Sequence, residues 1–140
     1  MPSHHRLEDK NTMANILNGL STAQAFTLAT QLQNQGKFNE AAQIFSQILA
    51  KQPGEGQSAL QLARIFHKHG QLSQARQILE QSTKHGAKGF ELFYMLAALQ
   101  QVSGFFAAAE TNIQKAIKLN ENSAAAFNIL GSALVEQHKQ

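Results

Sequence analysis

The chain has 140 residues, 43% of them hydrophobic and 15% charged, enough for one compact domain with its own core. It holds no cysteine, which excludes disulfides, thiolate zinc sites, iron-sulfur clusters and a cysteine nucleophile together. Twelve basic against nine acidic side chains leave a net charge of +3, a modest excess that does not by itself imply nucleic acid.

Two prolines, no tryptophan and one aspartate stand against 21 alanines and 18 glutamines, a composition of helix formers, and an all-α fold is expected. No apolar run reaches the roughly 18 to 20 residues of a membrane helix, and the first ten residues lack the apolar stretch of a secretion signal. The expectation is a cytoplasmic protein without membrane contact. Residues 1–20 read as a tail, polar over 1–12, with Met1 and Met13 both open as starts and a short capping helix from Asn11 to Leu20. Ser21 with Gln24 three residues on reads as a capping box that opens a helix over 22–35. Further helices are predicted over 38–51, 56–69, 72–85, 90–103, 106–119 and 123–138.

A fixed period runs through these elements. Gly36, Gly70 and Gly104 lie 34 residues apart, each followed two residues later by Phe38, Leu72 or Phe106. Eight residues before each glycine come Leu28, Leu62 and Leu96, and seven before come Ala29, Ala63 and Ala97. Five after come Ala41, Ala75 and Ala109. Small residues at these places let two antiparallel helices approach closely, with Leu28, Phe38 and Phe45 filling the seam. The glycine ends the first helix of each pair, where a left-handed backbone costs it little.

The segment from Leu28 and Ala29 through Gly36, Phe38 and Ala41 to Phe45 and Pro53 resembles the tetratricopeptide repeat, a helix-turn-helix unit of 34 residues. The resemblance covers residues 22–138 and implies an α-α superhelix, a solenoid of about three and a half repeats: 22–55, 56–89, 90–123 and a partial repeat at 124–140. Residues 21–140 are therefore taken as one repeat domain. Later copies depart from the first: Ala87 and Glu121 replace Pro53, Ser82 replaces a larger apolar residue, and Gln100 falls where Leu32 and Phe66 sit. Looser packing is expected at those places.

Residues 124–134 match a first helix again, with Leu130 and Gly131 one period after Leu96 and Ala97. A terminal cap and the front of a longer protein both fit this unfinished repeat. Gly131 favours the second, since so small a residue is read as demanded where another helix crosses closely.

Groups for chemistry are few. Asp9 lies in the tail, and the six histidines form no i, i+4 pair with a nearby carboxylate, so no metal site and no cofactor are expected. Gly86 and Gly89 flank a loop without a phosphate-binding pattern, and no catalytic residue is assigned.

Binding is better supported. The repeat geometry turns Phe26, Thr30, Leu60, Arg64, His67, Lys68, Tyr94, Gln101 and Asn128 toward a groove lined by the first helices. Arg64 and Lys68, four apart, share a face. Residues 56–89 carry Arg64, Lys68, Arg76, Lys84 and Lys88 against Glu80 alone, so an acidic peptide or protein partner is expected there, anchored on Phe26, Leu60 and Tyr94. One subgroup of the family grips chaperone tails with lysines, arginine and asparagines on successive first helices. Phe26, Thr30, Glu91 and Met95 stand at the matching places here, which disfavours that ligand. Nucleic acid is disfavoured because only the middle repeat is basic. The expected function is a non-catalytic protein-binding scaffold. The resemblance alone implies the alternative, an amino-terminal accessory domain of a longer bacterial enzyme such as a sulfotransferase, glycosyltransferase or methyltransferase. Phe127, Leu130 and Leu134 also form an apolar strip suited to self-association.

Overall fold

The computed structural model describes residues 17–139. Among these, seven helices stand in the predicted order: α1 Thr22–Asn34, α2 Phe38–Lys51, α3 Gly56–Lys68, α4 Leu72–Lys84, α5 Phe90–Val102, α6 Phe106–Leu119 and α7 Ala124–His138. The described residues contain no strand, so the fold is an all-α helical repeat. Of the short helix predicted over Asn11–Leu20, residues 11–16 lie outside the described residues; residues 17 and 18 are helical and Leu17 is buried.

The helix starts follow from their caps. Ser21 Oγ accepts from the Gln24 amide at 3.1 Å while the Ser21 amide donates to Gln24 Oε1 at 2.9 Å, the reciprocal pair of a capping box. Glu55 caps α3 by accepting from the Gln57 and Ser58 amides, and Ser123 caps α7 by accepting from the Ala126 amide at 3.1 Å. The repeated stop is a Schellman motif. At the end of α3 the Gly70 amide donates to the His67 carbonyl at 3.0 Å and the Gln71 amide to the Phe66 carbonyl at 2.8 Å, with Gly70 at φ +76°. The same two bonds recur around Gly36 and Gly104, at φ +80° and +85°.

The chain divides into two compact units that part between Lys51 and Gln52. In the first, α1 packs on α2 across the three-residue turn, and the two helices run antiparallel. Ala29 and Ala41 are fully buried, as are Ile44 and Phe45, and the Phe26 ring meets Phe45 edge-on with centroids 5.6 Å apart.

In the second unit α3 packs on α4, α5 on α6 and α6 on α7, while the first helices of successive pairs also meet, α3 with α5 and α5 with α7. Ala63, Ala75, Ala97 and Ala109 are fully buried, so the periodic alanines sit where helices approach most closely. Gly54 has a similar role, because a Cβ there would run into the His85 carbonyl.

One sequence expectation needs correction. Gln100 does not loosen the packing. It is 3% exposed, its Nε2 donates to Glu80 Oε2 at 3.2 Å, and its Oε1 accepts from Asn112 Nδ2 at 2.9 Å. Glu80 in turn accepts from Arg76 Nη1 at 2.8 Å, and the Arg76 guanidinium lies 4.6 Å from the Phe105 ring centre. A polar residue is tolerated there because both ends of its amide are bonded, tying α4, α5 and α6 together. Gly131, expected to meet a crossing helix if the chain continues, is exposed, and among the described residues a Cβ there has nothing within 4 Å. α7 instead buries Ala126 and Ala133, the face one period after Leu92 and Leu99.

Candidate peptide-docking cleft

Helical spacing builds the site. On α3, Leu60, Arg64 and His67 recur at four and three and therefore share one face. On α5, Tyr94 and Ala98 form one row, and Glu91, Met95, Leu99 and Val102 form the row beside it. Where these faces meet they line an open cleft of about 480 Å³, joined by Leu72 from the start of α4 and Phe90 from the start of α5. This volume lies in the range of pockets that hold small ligands or anchoring side chains.

The lining is apolar except for Arg64, His67 and Glu91. Leu60 and Leu99 are buried and form the floor. Leu72 and Val102 are 38% and 69% exposed, so apolar surface is left open to water at the cleft edge. Phe90 and Tyr94 rings lie 5.8 Å apart at a 30° tilt, which holds the aromatic wall. Arg64 Nη2 donates to Glu91 Oε2 at 2.9 Å, an ion pair that joins α3 to α5 at the rim.

The structure brings Leu60, Arg64, His67 and Tyr94 together, four of the groove residues expected from the sequence, with Ala98, which the same repeat phase turns toward the groove. Lys68 is exposed at the end of α3 and does not line the cleft. Gln101 is half-buried with its Oε1 enclosed and unpartnered, and Asn128 is exposed on α7; neither lines the cleft. Phe26 and Thr30 belong to the first unit. Phe26 is half-buried against Phe45, and Thr30 Oγ1 donates to the Phe26 carbonyl at 2.9 Å.

Sequence reasoning missed Leu72, Phe90, Leu99 and Val102 as lining residues, and it placed Glu91 and Met95 at the ligand-gripping places of a family subgroup without assigning them to this groove. The row of 91, 95, 99 and 102 is a readable helical signal. Leu72 stands one period after the seam residue Phe38, and its exposure is not encoded by the period.

The first unit has an open apolar surface of its own, lined by Leu20, Ala23, Thr27 and Leu28 with two glutamines. Leu28, expected to fill the seam, is half-exposed there. Among the described residues no cluster of three or more His, Asp or Glu side chains suits a metal ion, and no helix is long and apolar enough to cross a membrane.

Comparison with known proteins bears on this geometry. The chain is similar to YrrB, described as a TPR protein with an unusual peptide-binding site, with TM-score 0.76 and 17% identity over 96% of this chain and 66% of that one. It is similar to MamA, with TM-score 0.72 and 22% identity over 83% of this chain, and spans 63% of the MamA chain. It is also similar to the Yersinia enterocolitica type III secretion chaperone SycD in complex with a peptide of the translocator YopD, with TM-score 0.66 and 18% identity over 82% of this chain and 93% of that one. At these identities what is shared is the fold. No curated protein matches the sequence. Two family models, each described as tetratricopeptide repeat, match residues 32–99 and 94–139, and with the Schellman glycines and buried alanines at the same period the chain belongs to the tetratricopeptide repeat family.

Proposed function

We propose that this chain is a non-catalytic peptide-docking module whose binding surface is the cleft between α3 and α5. The observation that carries the reading is the exposed apolar lining at Leu72 and Val102 beside the Arg64 guanidinium and the His67 imidazole at the rim. Such a surface favours a segment that brings apolar side chains and negative charge together. The 13 residues of α5 run about 20 Å at the helical rise, the span of roughly six residues of extended peptide. Leu60 and Tyr94 supply apolar anchors, Met95 adapts to the shape of what enters, and Arg64 with nearby Lys68 attracts a carboxylate. Peptide recognition by the similar proteins YrrB and SycD supports the same use of the fold.

The test selects peptides on the whole chain from a random dodecapeptide display library and measures their affinity by fluorescence anisotropy. Replacing Arg64 and Lys68 together by glutamate should weaken the selected peptides by about tenfold or more, as expected for lost charge-assisted contacts, with helicity unchanged. Unchanged affinity refutes the assignment.

A second reading has its own observation. Phe127, Leu134 and Val135 on α7 are 48%, 37% and 54% exposed, an apolar strip that a second copy would cover. Light scattering of the chain decides it, because a monomer at all concentrations removes self-association.

A further inference from the structure

Among the described residues Glu91 is the one acidic side chain lining a cleft whose other titratable groups are Arg64, His67 and Tyr94. It occupies Arg64 through a single contact, Nη2 to Oε2 at 2.9 Å. A guanidinium offers five donors in a planar fork that fits a carboxylate two-fold, so a one-point contact leaves much of its capacity unused. Both side chains are well exposed, 44% for Arg64 and 66% for Glu91, and an ion pair in that setting is held weakly against water and salt. Release of Glu91 is also inexpensive, because the residue sits in the first turn of α5, where the helix dipole favours a negative charge whether or not Arg64 is near.

From this we infer that Glu91 is a built-in competitor for the carboxylate of the docked peptide, and so sets which peptides the cleft accepts. This rests on the docking role proposed above. The occupant is a segment with a bulky apolar side chain for the floor at Leu60 and Leu99 and an Asp or Glu close by in sequence. Its carboxylate displaces Glu91 from Arg64 and takes the two-point geometry that Glu91 does not make. A peptide lacking the acidic group leaves the Arg64 to Glu91 pair closed across the rim and gains only the apolar contacts. Glu91 thus raises the threshold for weakly acidic peptides, and charge complementarity with the basic stretch 56–89 selects the rest.

The experiment uses peptides selected from the random dodecapeptide library on the whole chain. Each is remade with its acidic residues changed to the amides, and both forms are titrated against wild type, Glu91→Gln and Arg64→Gln. Glu91→Gln should bind the acidic forms about threefold or more tightly, the scale of one exposed charge contact, and leave the amide forms unchanged. Arg64→Gln should abolish the preference for the acidic form. Circular dichroism checks that each variant remains folded. If Glu91→Gln leaves the acidic forms unimproved, or improves both forms equally, the competitor role is wrong while docking in the cleft still stands. If Leu72→Glu and Val102→Glu leave every selected peptide bound as before, docking in the cleft fails, and the role of Glu91 fails with it.

Discussion

Gln100 offers a sharp test of how the second unit is held together. In Gln100→Ala two side-chain hydrogen bonds are lost, one to Glu80 Oε2 and one from Asn112 Nδ2. Neither partner is left bare, since Glu80 keeps Arg76 at 2.8 Å and Asn112 keeps the Ala108 carbonyl at 3.2 Å. The cost is therefore about 1 kcal/mol per bond rather than the full penalty of an isolated buried group, and truncation of the buried methylenes brings the total to about 2 to 3 kcal/mol. Gln100→Leu, which restores the residue found at position 32, keeps the packing volume and loses only the bonds, so it should cost about 1 to 2 kcal/mol. Gln100→Glu fills the same space but sets a second carboxylate against Glu80. That introduced carboxyl has its folded-state pKa raised above the unfolded value of about 4.3. The variant's deficit is then absent below about pH 4.3, opens as the unfolded state ionises, and levels off once the folded carboxyl also ionises. Urea unfolding followed by circular dichroism at pH 4 and pH 8 measures all three. A loss under about 0.5 kcal/mol for Gln100→Ala, or an equal deficit for Gln100→Glu at both pH values, would refute the network.

Three further substitutions test the local arguments. Gly70→Ala places a Cβ on a backbone at φ +76° and should cost about 1 to 2 kcal/mol in the same urea assay, though nothing crowds the site within 4 Å. Gly131→Ala should stabilise α7 by about 0.5 to 1 kcal/mol, because the added methyl meets only solvent and glycine is the poorer helix former; a loss would mean that another helix crosses there. Ser21→Ala removes one half of the capping box and should cost about 1 kcal/mol, read as faster amide exchange in the first turn of α1.

Helix positions were legible because the signals that set them are local. The serine and glutamine of the capping box, the glycines at 36, 70 and 104, and the alanines that follow each fix one boundary or one contact, and the observed helices lie within one residue of those predicted. Part of the cleft was legible for the same reason, since Leu60, Arg64, His67, Tyr94 and Ala98 follow from the repeat phase. The remainder depends on pairings between helices that no period encodes. Arg64 meets Glu91 across 27 residues of chain, and Gln100 reaches Glu80 across 20. A glutamine where two repeats carry Leu32 and Phe66 reads as a packing defect until its partners are seen. Gly131, read as the site of a close helix crossing, has no neighbour within 4 Å among the described residues, and its small size stays without a local partner there.

The central claim is that the cleft between α3 and α5 is where a peptide docks. Its most direct measurement is the change in backbone amide chemical shifts of the whole chain as a selected dodecapeptide is added. Perturbation concentrated at Leu60, Arg64, Leu72, Tyr94, Met95 and Val102 is the predicted result, with α1, α2 and the outer face of α7 unmoved. Perturbation confined to Phe26 and Thr30, or to the strip at Phe127, Leu134 and Val135, would contradict it.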